Sequence, residues 1–302
     1  MIENSQPDSE AILIHAFIDP EDAEKRNVFQ QVKYIEADEI SRITSDQARV
    51  REAVHHLQVG HFMIHNRNNL LKTMAEIAIS FNKNGEMPLS MLDGPLCLIG
   101  SELLNFCSQF RVYMEHKEVA FRRDYGKCSV EFSNFKNLEK DMRDKNRGYS
   151  ILNQLRNFMV HHDMPEISIN MSTDTSQKTT LNVSLDAENL LSSYPKWTQE
   201  NKDYIRNSDG TLSLYTLLEG WDEGIQPIMR YCENIQIKPL QDSIDRICNF
   251  RNDNNIAEGG LIGMLKTFPK SKGGENLGKI SLNISWLDEI DGMRVRQYLD
   301  LH

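Results

Sequence analysis

The spacing of apolar positions predicts three helices in the first half of the chain. Between residues 44 and 81 apolar side chains recur every seven positions, which places them on one face of a helix. A second helix is expected to follow LDGP, which ends at Pro95, and to run to RRDYG, where Gly126 supplies its stop. A third is expected from Arg147 to His162, since Pro165 opposes its continuation. The polar sequence between the last two helices is predicted to be a connection.

The hydrophobic pattern changes to a period of two after Pro165. Apolar and polar residues alternate over 167–172 and again over 180–185, which predicts an antiparallel hairpin. Helical spacing returns near 212–231 and 235–249, so two further helices are expected there.

These elements predict an α+β protein that is mainly helical, with a small antiparallel sheet and flanking helices in its C-terminal half. The sequence KISLNISW, from Lys279, is expected to add a strand to the sheet of the hairpin. The sequence AILIHAFI, from Ala11, is interpreted as an irregular N-terminal arm or an edge strand. The expected division is an arm at 1–43, a helical domain at 44–165 and an α+β region of unassigned role at 166–302.

Composition is that of an ordinary globular chain, with 302 residues of which 39% are hydrophobic and 26% charged. No window approaches the roughly 18 uninterrupted apolar residues that cross a bilayer. The N-terminal sequence also lacks the basic start and apolar core of a secretory signal, so we expect a cytoplasmic protein without a membrane partner. Five widely spaced cysteines are typical of reduced, buried thiols rather than of disulfides or a zinc site.

The net charge of −10 argues against a protein that coats nucleic acid by bulk attraction. The charge is unevenly distributed along the chain, however. Residues 111–158 contain eleven Lys and Arg against seven Asp and Glu, so this segment is positive within an acidic protein. Such a segment suits either a selective polyanion site or a solvated helical surface of mixed charge.

The third predicted helix ends in RNFMVHHDMP, which carries the main candidate chemistry. At 100° per residue, Arg156, Asn157 and His161 fall on the side opposite an apolar stripe, with Val160 among them. His162 falls within that stripe and is expected to be a buried or packing residue unless the helix has already frayed there. Asn157 precedes His161 by four residues, so its amide can orient the imidazole. The apolar stripe consists of Ile151, Leu152, Leu155, Phe158 and Met159.

Arg156 and His161 lie about 140° apart around the helix, too far to hold one small group together. They can act on one group if the substrate lies across the helix face or if a second copy of the helix completes the site. Val160, which is apolar and lies between them, favours contact between helices. A two-fold dimer through this face would gather two arginines and two histidines, an arrangement suited to a phosphodiester.

The same residues resemble the signature of the HEPN (higher eukaryotes and prokaryotes nucleotide-binding) superfamily. That signature is RxxxxH, often with Asn, Asp or His directly after the arginine, and here it reads RNFMVH from Arg156 to His161. The preceding helix, with LNFCSQFRVYMEHKEVAFRRDYG, is also similar to these proteins. The resemblance covers roughly residues 90–165 and implies a HEPN-like helical bundle.

The resemblance implies a metal-independent endoribonuclease with a composite site at a dimer interface and no cofactor. His161 would be the acid or base, Arg156 would clamp the phosphate and Asn157 would position them. Many members of the superfamily act as toxins, in phage defence or in RNA processing. The expected partners are therefore RNA, a second copy of the chain and a neutralising or regulatory protein. Further RNA contacts are expected from Arg147, Lys145, Arg122 and Arg123.

Three alternatives remain open, two for the residues of this motif and one for a separate histidine cluster. The first is a catalytically inactive HEPN-like module that binds RNA or forms the dimer. In the second, Arg156 makes a surface ion pair with Asp163, and His161 is a helix-terminal cation. The third is a metal site in HHLQVGHFMIH, where His61 and His65 have a spacing that can bind metal, although the glutamate of HExxH is missing.

Overall fold

The computed structural model describes residues 10–18, 27–84, 92–173, 179–253, 261–267 and 277–283. The helices are α1 (Ala37–Asn84), α2 (Asp93–Tyr125), α3 (Val130–Lys145), α4 (Arg147–His161), α5 (Ala187–Ser193), α6 (Gln199–Arg206), α7 (Leu214–Gln236) and α8 (Gln241–Asp253). The strands are β1 (Glu10–Ile18), β2 (Asn27–Glu36), β3 (Ile167–Thr173), β4 (Thr179–Asp186), β5 (Thr211–Ser213), β6 (Leu261–Thr267) and β7 (Leu277–Asn283). The described part of the chain is mainly helical with antiparallel strands, which confirms the expected α+β class.

The described residues fall into two compact units. One comprises those within Met1–Gln58 and Gln236–Arg296, and the other comprises those within Val59–Ile235. The boundaries expected after residues 43 and 165 do not coincide with this division. The apolar residues of β4 lie in the same core as those of α2 and α4, so the chain after Pro165 continues the unit instead of starting a new one. As functional boundaries the expected positions stay a prediction.

The core of the second unit is centred on α2, α4 and α7. The apolar stripe predicted on the third helix is buried on α4, as expected. Phe110 of α2 packs edge-on against Tyr149 at the start of α4, with ring centroids 5.1 Å apart. Gly100 of α2 lies instead beside Met164, just past the end of α4. The two helices therefore run antiparallel.

The segment predicted as a polar connection between the second and third helices is instead the helix α3. Ser129 caps it by accepting a hydrogen bond from the backbone N–H of Phe132 at 3.0 Å. Phe132 and Phe135 are buried, and Phe135 stacks on Phe121 of α2 at 5.0 Å. The prediction was wrong because the apolar stripe of α3 is narrow and stands among many charged residues. That stripe is nevertheless enough to stabilise the helix, because it packs against α2.

Two helices of the second unit approach each other with almost no side chain between them. Gly148, at the start of α4, lies against the backbone of α7, and a Cβ atom there would come within 2.9 Å of the Cα atom of Gly220. A Cβ atom at Gly224, one helical turn later, would lie 2.8 Å from the Cβ atom of Tyr149. Glycine at these positions is what permits the contact between α4 and α7.

The hairpin predicted after Pro165 is confirmed as β3 and β4, and β5 extends it to a three-stranded antiparallel sheet. Ile167 pairs with Leu185 and Ile169 with Val183. Val183 and Leu185 are fully buried, so the period-two pattern places one face of the sheet in the core.

The first unit contains a separate antiparallel sheet in the order β2-β1-β6-β7. The strand from Ala11 is therefore an interior strand, not an arm or an edge strand, because β1 pairs with β2 on one side and β6 on the other. The expectation that KISLNISW joins the hairpin is also wrong, since the described part of it, in β7, pairs with β6. An alternating pattern specifies a strand but does not name its neighbour.

Helices α1 and α8 are linked within the first unit by a buried carboxylate. Asp46 of α1 accepts hydrogen bonds from Nε and Nη2 of Arg246, both at 2.7 Å, and from Oγ of Ser243 at 2.8 Å. The hydrogen bonds from Arg246 lower the pKa of Asp46 below its ordinary value of 3.8. Helix α1 begins at Ala37, seven residues earlier than expected, and Asp46 lies inside it.

None of the five cysteines forms a disulfide bond. Cys107 and Cys232 are buried as expected, but Cys97 and Cys128 are exposed and Cys248 is partly exposed. Among the described helices, none is long and apolar enough to cross a membrane.

Candidate functional site

Helix α4 carries the candidate site at its C-terminal end. Asn146 begins the helix by accepting a hydrogen bond from the backbone N–H of Tyr149 at 3.1 Å. The helix ends at His161, and His162 leaves the helical conformation with φ −129° and ψ −78°. The N–H of His162 still donates to the carbonyl of Phe158 at 2.9 Å, which closes the last turn.

Arg156 is partly buried and has no carboxylate partner within the described residues. Its Nη1 atom donates to Oδ1 of Asn157 at 3.2 Å, while its Nε atom is buried without a hydrogen-bond partner. Asp163, the carboxylate considered as an ion-pair partner, instead accepts the backbone N–H of Met164 at 2.8 Å. The guanidinium therefore keeps an uncompensated positive charge and a buried unused donor, which is costly unless an acceptor arrives.

Asn157 acts on the arginine and not on the histidine. Its side-chain oxygen accepts the hydrogen bond from Arg156, and no hydrogen bond joins it to His161 in the described structure. The expectation that its amide orients the imidazole is therefore not met. Adjacent side chains on a helix diverge by about 100°, but the long arginine side chain bends back to its neighbour.

His161 is exposed at the end of α4. In the part of the chain that the structure describes, its imidazole makes no hydrogen bond, ion pair or ring contact. It lies five residues after Arg156, so the two side chains originate about 7.5 Å apart along the helix axis and about 140° apart around it. An imidazole that is free on the surface can exchange a proton with a bound molecule.

The surface beside these residues is apolar. Val160 is 46% exposed, and Met164, just beyond the helix, is 41% exposed. Val160 lies between Arg156 and His161 around the helix, so a molecule that covers it would bring its own groups close to both.

His162 was expected to be a buried or packing residue unless the helix frayed, and its ring packs against a neighbour without being buried. It is exposed, because the helix ends one residue earlier and the chain turns toward Pro165. Its ring packs against Tyr194, with centroids 4.9 Å apart and the ring planes at 75°. The wheel failed here because it assumes helical geometry up to the last residue.

The four basic residues expected to contact RNA already have partners of their own. Arg122 pairs with Glu118 at 2.5 Å, Arg123 with Asp124 at 2.6 Å and Lys145 with Asp141 at 2.8 Å, while Arg147 donates to the carbonyl of Asp144 at 2.8 Å. Exposed pairs of this kind are weak, so a phosphate can replace the carboxylate.

These basic residues and the candidate site lie at opposite ends of α4. Arg147 begins the helix, about 21 Å along the axis from His161. Arg122 and Arg123 lie at the C-terminal end of α2, whereas it is the N-terminal part of α2 that lies beside Met164. The structure therefore brings Arg156, Asn157 and His161 together on one end and keeps the four basic residues apart from them. As RNA contacts they stay a prediction, and only a strand running along α4 would reach both ends.

The histidine cluster considered as a metal site has other contacts. The rings of His61 and His65 stack with centroids 6.2 Å apart, and Nε2 of His65 lies 3.2 Å from Nδ2 of Asn69. Among the described residues, no group of three or more His, Cys, Asp or Glu is arranged to hold a metal ion.

No protein-family model matches this chain, and no curated protein or solved structure matches it at a stringent threshold.

Proposed function

We propose that this chain is a metal-independent endoribonuclease, built on a HEPN-like helical bundle, that cleaves RNA through attack by the ribose 2′-hydroxyl. The observation that carries the proposal is the state of Arg156. Its charge is unpaired within the described residues of an acidic protein, and its Nε donor is buried and unused. A phosphate group supplies the charge and the planar pair of acceptors that such a guanidinium lacks.

The reaction assigns one role to each of three side chains. The imidazole of His161 takes the proton from a 2′-hydroxyl, whose oxygen then attacks the adjacent phosphorus. The bond from phosphorus to the 5′-oxygen breaks, and that oxygen receives a proton from an imidazole. Arg156 stabilises the negative charge that gathers on the phosphoryl oxygens, and Asn157 holds the guanidinium. The products are a 2′,3′-cyclic phosphate and a 5′-hydroxyl.

A second copy of the chain completes the site in this proposal. The 140° between Arg156 and His161 separates them on one helix, whereas the arginine of one copy can face the histidine of another across a two-fold axis. Val160 and Met164, both exposed and apolar, supply the helix contact that such a dimer needs. The proposal includes a cytoplasmic role in phage defence or growth arrest, held in check by a neutralising or regulatory protein.

The decisive test is incubation of the purified protein with a mixed RNA pool in excess EDTA, followed by analysis of the product ends. Wild type should leave 2′,3′-cyclic phosphates, and Arg156→Ala and His161→Ala should each reduce cleavage by at least about a hundredfold. His65→Ala is the matched control, because His65 is an exposed helical histidine that belongs to α1 and not to α4. DNA of the same sequence should stay intact, since it lacks the 2′-hydroxyl.

Intact RNA with the wild-type protein, together with retained RNA binding or dimer formation, would favour the catalytically inactive module. Cleavage that disappears in EDTA would instead point to a metal-dependent enzyme. Equal cleavage by wild type and His161→Ala would remove the assigned role of this histidine.

A further inference from the structure

A row of aromatic rings leads from the core of the second unit to His162. Trp197 is almost fully buried, and its indole N–H donates to the carbonyl of Leu190 at 2.8 Å. Tyr194 packs edge-on against Trp197, with centroids 5.2 Å apart, and against Phe158 at 6.0 Å. His162 then packs against Tyr194 at 4.9 Å. The imidazole is thus the outermost ring of a cluster anchored in the core.

The ring of His162 keeps an open face. A single neighbouring ring at 75° covers at most one face of the imidazole, and the residue as a whole is exposed. In the described part of the chain the imidazole forms no hydrogen bond or ion pair. A planar ring that is both fixed by its neighbour and open to solvent binds another planar ring at a low cost in conformational entropy.

The position of His162 relates this open ring to the candidate site. It directly follows His161, so the Cα atoms of the two residues are about 3.8 Å apart. The non-helical conformation of His162 turns its side chain out of the regular helical position. A polynucleotide whose phosphate lies at His161 therefore has an adjacent base within reach of this ring.

We propose that His162 is the base-stacking residue of the site, and that it binds the unpaired base of a nucleotide next to the scissile phosphate. This inference rests on the proposed function, and it adds that the substrate is single-stranded at the point of cleavage. A base must be unstacked from its neighbours before a protein ring can take their place. Stacking of this kind tolerates all four bases, because every base presents a flat π-face.

The experiment maps the cleavage position in a single-stranded RNA and compares wild type, His162→Ala and His162→Phe in EDTA. Each is assayed on the mapped RNA and on the same RNA with an abasic ribose beside the scissile phosphate. His162→Ala should lower kcat/KM on the intact RNA by about tenfold, mainly through KM, while His162→Phe should stay within about threefold of wild type. On the abasic RNA the effect of His162→Ala should fall below about twofold.

The phenylalanine variant separates stacking from charge, because it keeps a flat ring and cannot be protonated. An equal loss with His162→Phe and His162→Ala would overturn the inference and indicate a phosphate or hydrogen-bond contact instead. The same conclusion follows if His162→Ala loses as much activity on abasic RNA as on intact RNA. His65→Ala again serves as the control, and thermal melting of each variant verifies that the fold is retained.

Binding measurements keep this inference distinct from the proposed function. Fluorescence anisotropy of labelled single-stranded RNA is measured with His161→Ala protein, with and without His162→Ala or His162→Phe. If wild type cleaves and His162 variants are unaffected in both assays, only the stacking inference fails. If wild type does not cleave RNA, but His162→Ala weakens RNA binding and His162→Phe does not, only the proposed function fails. Absence of both cleavage and binding overturns the two together.

Discussion

Replacement of Gly148 by alanine should destabilise the protein strongly, although alanine is the better helix former. The new Cβ atom would lie within 2.9 Å of the Cα atom of Gly220, and closer still to the carbonyl oxygen of Leu217. Real Cβ contacts are ordinary only beyond 3.4 Å. Both atoms belong to the backbone of α7, so no side-chain rotation relieves the contact. Helix α7 must instead move away from α4 by roughly 0.5–1 Å.

The size of the destabilisation follows from the contacts that a shift of α7 would disturb. Trp221 of α7 packs against Phe106 and Phe110 of α2, with ring centroids 4.8 and 5.5 Å away. Overpacking of a close-packed core costs typically 1–3 kcal/mol, and a contact between two backbones belongs at the upper end. We therefore expect Gly148→Ala to lower the free energy of unfolding by about 3 kcal/mol, or Tm by about 6–12 °C.

Two further glycines provide the comparison series for this prediction. Gly94, in the first turn of α2, has no atom within 4 Å of a Cβ position, so Gly94→Ala should be neutral or stabilise by up to about 1 kcal/mol. Gly224→Ala meets the side chain of Tyr149 and should fall between the other two. Urea and thermal unfolding followed by circular dichroism give the order. A Gly148→Ala variant within 0.5 kcal/mol of wild type would refute the argument.

Three other predictions concern single charges. Asn157→Asp places a carboxylate beside the guanidinium of Arg156, so RNA cleavage should fall at least about tenfold while Tm is unchanged or higher. Burial lowers the pKa of Lys117 from 10.5, so Lys117→Met should stabilise by roughly 1–2 kcal/mol at pH 7. Between the lowered pKa and 10.5 the unfolded lysine binds a proton that the folded one does not, so the free energy of unfolding of wild type rises with pH. Urea titrations should therefore show the difference in stability between Lys117→Met and wild type closing near pH 10. Asp46 has a lowered pKa, so its contribution is present above pH 3.8 and lost as pH falls through the folded-state value. Asp46→Asn should therefore melt earlier than wild type at pH 7, with a difference that shrinks below pH ~4.

The helices with wide apolar stripes were predictable from local pattern. The stripe on α4 was predictable from spacing, because burial of one helix face imposes a period near 3.6 whatever the partner is. The end of α2 was predictable from the helix-stopping glycine Gly126. Helix α3 was missed because its two buried phenylalanines stand among charged residues. Its stability comes from Phe121 and other groups of α2, which a local window does not include.

The candidate site shows the same limit at the level of single side chains. Arg156, Asn157 and His161 were selected from the motif, and their common helix end followed from the spacing. The hydrogen bond from Arg156 to Asn157, in place of one between Asn157 and His161, depends on side-chain conformations that spacing does not specify. The exposure of His162 depends on where the last helical turn closes, and its contact with Tyr194 joins residues 32 positions apart.

The sequence by itself determined the helices α1, α2 and α4 and the hairpin after Pro165, and it supplied the residues proposed for acid-base and phosphate chemistry. Periodicity and side-chain chemistry are local properties, so the amino-acid sequence contains them directly. Only the tertiary structure decided that β1 is an interior strand, that β7 pairs with β6 and that Gly148 permits α4 and α7 to touch. Those features depend on which distant segments meet, and the free energy that selects them arises from packing between segments rather than within them.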